Sequence, residues 1–141
     1  MRLPITGRWS RLLALGYGIS LFFWLSLEDT SVWPVVIFGC GLAVLISLLV
    51  TLDKIGGRSV PARFVPVLGG LLGSITGLGV SVAVAALMFF KDARHAHVFP
   101  DYPTAMMLAI LERAPIWALA GGLVGLSLGL GWLAWRRTGD E

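Results

Sequence analysis

Four runs of this chain carry no Asp, Glu, Lys, Arg or His: Leu12–Leu27, Ser31–Leu52, Phe64–Phe90 and Ala114–Trp135. A helix needs about 20 apolar residues to cross the hydrocarbon of a bilayer. The second, third and fourth runs meet that length. The first is short, and Trp9 and Ser10 extend it through the interface. The third is long enough to tilt or to project past the headgroups. Only 13% of the residues are charged, against roughly 25% in a soluble domain, so much of the surface is suited to lipid or to other membrane proteins.

The expected fold is all-α and integral to the membrane, with four transmembrane helices over about 10–27, 32–52, 65–90 and 115–135 in one membrane domain, 1–141. Basic residues set its orientation. Arg2, Arg8, Arg11, Lys54, Arg58, Arg63, Arg136 and Arg137 fall on one side, and Lys91, Arg94 and Arg113 on the other. The excess of Lys and Arg in cytoplasmic segments then places both termini and the middle loop in the cytoplasm, in a cytoplasmic or inner membrane. Trp9, Trp132 and Trp135 suit the inner interface, and Trp33 and Trp117 the outer one. The first run ends in Ser26-Leu27-Glu28-Asp29 with no small-residue cleavage pattern, so it reads as a retained helix rather than a signal peptide. Because the positive charge is divided among membrane flanks, it carries no nucleic-acid signal.

Prolines mark three helix starts, Pro34, Pro66 and Pro115, where a missing N–H costs nothing. Thr30 or Ser31 can cap the second helix. The long outer loop, Lys91 to Arg113, is broken by Pro100 and Pro103. Its second part reads TAMMLAILER, with Met106, Met107, Ile110 and Leu111 at helical spacing. That predicts a short interfacial helix over about 104–113, lying on the outer surface or against a partner.

Two stretches read almost alike, Gly69 to Gly79 as GGLLGSITGLG and Gly121 to Gly131 as GGLVGLSLGLG. Gly69, Gly73 and Gly77, like Gly121, Gly125 and Gly129, recur every four residues and so share a helix face. Small-residue stripes let membrane helices approach closely, as a glycine zipper. The expected contact is antiparallel, third helix on fourth. Counting from the ends of the apolar runs puts Gly77 and Gly125 near mid-membrane and Gly73 level with Gly129. A pore or a homo-oligomeric seam is the functional alternative. The shared glycines and leucines favour convergence on a packing motif over duplication.

Ionisable groups are scarce in the spans, where only Cys40 is expected at depth. Proton relays, ion-coupled carriers and voltage sensors need buried charge. A haem between helices needs axial ligands such as His, and none lies within the apolar runs. His95 and His97 form an HAH with Asp92 and Asp101 nearby, residue types that suit Zn or Cu. As metal ligands they are weak candidates, and exposed loop histidines are the default. Cys40 reads as a small packing residue. Phe22, Phe23 and Trp24 present flat surfaces to lipid, to a partner helix, or to a bound lipid, quinone or pigment. No Ser/His/Asp set, phosphate loop or nucleotide motif is present, and no enzymatic role is expected.

These features favour a small accessory or assembly subunit of a larger integral membrane complex of respiratory, photosynthetic or transport type. Its partners would be other membrane subunits and lipids. The alternative is a small homo-oligomeric channel or transporter.

Overall fold

The computed structural model describes residues 7–27, 30–57, 60–95 and 100–139. Among these the chain is all-helical: α1 (Arg8–Leu25), α2 (Val32–Ile55), a single 3-10 turn (Ala62–Phe64), α3 (Val65–His95), α4 (Thr104–Glu112) and α5 (Ala114–Gly139). Three helical segments are long and apolar enough to cross a membrane, Val32–Ile55, Ala62–His95 and Ala114–Arg136, while the apolar part of α1, Ser10–Leu25, is shorter.

Local chemistry accounts for the ends. Ser31 is the extended residue before α2, although its side chain makes no capping bond, and Pro34 sits in the first turn. Gly56 and Gly57 end α2, with Gly57 at φ 79°, a conformation that L side chains rarely adopt. Pro103 precedes α4. α4 stops at Arg113, one residue before α5. Pro115 has no N–H to offer the carbonyl of Leu111, so the break belongs to this proline. The Arg113 carbonyl instead accepts from the N–H groups of Ile116 (3.0 Å) and Trp117 (3.1 Å).

The third helix does not stop at Phe90. Lys91-Asp92-Ala93-Arg94-His95 contains no helix breaker, and α3 continues through it. We call the end that holds the α1–α2 and α3–α4 connections the upper end. α3 is the central element, with α5 packed antiparallel on one flank and α2 on another, and α4 beside its upper half. The core follows this order: Val35 and Ala43 of α2 meet Val80, Val84, Leu87 and Met88 of α3, and Tyr102 and Trp24 close the upper end.

Glycines set the spacing. A Cβ added to Gly39 would lie 2.3 Å from Val84 Cγ2, so α2 and α3 touch backbone to side chain. On the other flank Gly73 faces Gly121, Gly69 faces Gly125, Gly77 faces Trp117 and Ala118, and Gly129 faces Pro66. This corrects the expected register. Gly73 lies opposite Gly121 rather than Gly129, a slip of eight residues, or about 12 Å of helix. Matching the midpoints of two apolar runs assumes that both helices occupy the same depth. In the fold α3 extends past its apolar run, α4 fills the space beside its upper part, and α5 begins lower down.

Candidate functional site

Two features stand out from the packing. The first is a polar cluster at the upper end, built on a stripe of α3. Gly77, Ser81, Val84, Met88 and Lys91 recur at helical spacing, and all five are buried. The stripe therefore carries Lys91 into the interior, where it is 0% exposed. Its Nζ lies 4.4 Å from the ring centroid of Trp24. A cation over an indole face is worth about 2 kcal/mol when desolvated. Trp24 stacks in turn on Phe38 of α2, centroids 5.0 Å apart at 26°. Tyr102, 1% exposed, donates its hydroxyl to the Ser31 carbonyl (3.1 Å) and its N–H to Asp92 Oδ1 (3.1 Å). His95 Nδ1 meets Asp101 Oδ2 at 2.9 Å. The guanidinium of Arg94 lies 5.0 Å from the Phe22 ring centroid.

Together these contacts fasten α1, α2, α3 and the entry to α4 at one point. Removing one should have a graded effect. Tyr102→Phe keeps the ring and deletes one hydrogen bond to a carbonyl, so it should cost about 1 kcal/mol. Equilibrium unfolding in detergent reads that loss, and an unchanged midpoint would show that the Ser31 bond contributes nothing.

The second feature is a groove of about 650 Å³ between α2, α3 and α5. Its floor is glycine backbone, at Gly69, Gly73, Gly77, Gly121 and Gly125, and its walls include Val44, Trp117 and Trp132. Cys40 lines it, half-buried. Thr76 also lines it, and its hydroxyl donates to the Leu72 carbonyl at 2.8 Å. The groove is thus almost wholly apolar.

Other residues singled out from the sequence fall as follows. Phe22 and Phe23 are exposed at 58% and 68%, whereas Trp24 is 6% exposed and belongs to the internal cluster rather than to an outer contact surface. Neighbouring residues on a helix point about 100° apart, so three in a row cannot all face outward. Met106, Met107 and Ile110 pack half-buried against the core, and Leu111 is 39% exposed. His95 pairs with Asp101, and His97 lies outside the described residues. Among the described residues no group of three or more His, Cys, Asp or Glu side chains is placed to hold a metal ion.

Sequence reasoning missed Lys91, Tyr102 and Arg113. Lys91 had a signal, since it continues the 77–81–84–88 spacing. Tyr102 had none, because a loop returns it to the cluster. Arg113 was read as a residue of the outer loop, yet it lines the same small pocket as Ser81 of α3. Comparison with family models, with curated proteins and with solved structures finds no match to this chain.

Proposed function

We propose that the chain is a small accessory or assembly subunit of a larger integral membrane complex. In this reading it crosses the membrane four times with both termini cytoplasmic, α1 completing its span through interfacial residues. The observation that carries the reading is the shape of the groove along α3 and α5. Exposed leucines need only lipid around them, but a laterally open trough with a glycine floor admits a further helix at close backbone distance. A second support is α1, which meets the bundle at few points and exposes Leu12, Leu13, Leu15 and Ile19. A channel would need polar groups along a path, and Thr76 and Cys40 supply few.

Purification in mild detergent tests the proposal. The chain should co-purify with larger membrane subunits in fixed stoichiometry. Ala120→Trp fills the groove and should release those subunits while leaving the chain membrane-inserted. A homogeneous oligomer of this chain alone that moves solute across liposomes would overturn the reading. So would an Ala120→Trp variant that keeps every partner.

A further inference from the structure

A second pocket, of about 290 Å³, lies between α2, α3 and the α4–α5 break. It is apolar apart from two groups, Ser81 and Arg113. Ser81 is 0% exposed and its Oγ has no hydrogen-bond partner. Helical hydroxyls normally bond the carbonyl four residues back, as Thr76 does to Leu72 and Ser20 does to Gly16. Ser81 does not, and its buried hydroxyl lines the pocket instead. Arg113 lines the same pocket from an exposed position and makes no ion pair among the described residues.

Depth adds to this. Ser81 lies nine positions inside Phe90, the last residue of the apolar run of α3, or about 13 Å along the helix. Arg113 lines that pocket at the α4–α5 break, exposed and one residue before the span that begins at Ala114. A basic residue beside an apolar pocket at the end of a span suits an anionic headgroup. Irregular backbone at membrane depth is tolerated where it lines a cavity or is buried in protein.

We propose that this pocket binds an anionic membrane phospholipid. Its phosphate pairs with the Arg113 guanidinium, an ester carbonyl accepts from the Ser81 hydroxyl, and the upper part of one acyl chain runs down past Val80 and Trp117, which also line the pocket. Apolar walls fit a lipid and not a free anion, which would leave them unfilled. The site adjoins the α3–α5 groove across Val80 and Trp117, which line both, and stands whether or not the chain has larger partners.

Trp117 lines both this pocket and the groove beside it, so variants at Arg113 and Ser81 assign its quenching to the pocket. The full chain is placed in phosphatidylcholine nanodiscs carrying bromine-labelled phosphatidylglycerol or, in a matched set, bromine-labelled phosphatidylcholine. Subtracting the signal of Trp117→Phe isolates quenching at Trp117. The expected preference for phosphatidylglycerol is about fivefold, the factor that one basic residue contributes at an anionic surface. Arg113→Gln should abolish it, and Ser81→Ala should weaken quenching by both lipids. Added inorganic phosphate should not relieve it. Equal quenching of the wild-type chain by both lipids overturns the proposal without recourse to any variant. Preference that survives Arg113→Gln also overturns it, and relief by inorganic phosphate would assign the site to a soluble anion.

Discussion

Gly73→Ala should loosen α5 from α3 and lower the melting midpoint in detergent, although it adds a single methyl group. The added Cβ would lie 2.1 Å from the Gly121 carbonyl oxygen and 2.8 Å from its carbon. Both are backbone atoms, so no rotamer change relieves the clash, and the helices must part along the seam. The reciprocal change at Gly121 meets the Gly73 oxygen at 2.2 Å, and at Gly125 the Gly69 oxygen at 2.0 Å. Overpacking of this kind costs about 1–3 kcal/mol. Parting the helices also forfeits close van der Waals contact and Cα–H···O contacts, which matter more in lipid because hydrophobic drive between helices is absent. Gly73→Leu should separate the pair outright.

Two controls give this prediction its sign. A Cβ on Gly70, one turn away on the neighbouring face, finds its nearest atom at 3.7 Å, an ordinary contact, and Gly16 has nothing within 4 Å. Ala at either position keeps the packing and removes the entropic cost of a helical glycine, a gain of about 0.5–1 kcal/mol in water. Gly73→Ala and Gly70→Ala should therefore move the midpoint in opposite directions. Equal midpoints would show that the α3–α5 contact does not run through Gly73.

The glycine stripes were legible in the sequence because a four-residue spacing has one geometric meaning on a helix. Their register was not. The depth of a helix is fixed by everything packed beside it, and α4 is what lowers α5. Likewise the apolar runs reported α2, α3 and α5, since length and lack of charge suffice for that. They misplaced the end of α3, because a charged residue ends an apolar run but does not end a helix. Lys91 was assigned to an outer loop on those grounds, and with it went the polar cluster that the fold assembles from α1, α2, α3 and Tyr102. The helix start at Pro115 was legible from proline chemistry. Its consequence, an arginine and a lone serine hydroxyl lining one pocket, depends on tertiary contact between α3 and the α4–α5 junction, and nothing local encodes it.

Lys91→Ala should free α1 while leaving α5 in place. The two flanks of α3 are held by different physics, and this substitution separates them. α5 is held by backbone proximity along the whole seam. α1 meets α2 and α3 sparsely, through Tyr17 to the Phe38 carbonyl, through Trp24 between Phe38 and Lys91, and through Phe22 under Arg94. Truncating a fully buried lysine removes its stem from the core and its charge from the Trp24 face. The combined loss is on the order of 3 kcal/mol. Trp24→Leu should cost a similar amount, and the double variant should fall short of the sum, because each change destroys the same contact. Lys91→Arg should lose least, since a guanidinium also stacks on indole. Hydrogen exchange resolved by helix is the decisive measurement. In Lys91→Ala the amides of α1 should exchange faster and those of α5 should not, whereas Gly73→Ala should show the reverse. Uniform acceleration in both variants would mean that the bundle opens as one unit and that Lys91 anchors no particular helix. If the selective pattern holds, α1 is the element with the least to hold it inside the chain, and its exposed face is where a partner has most to gain.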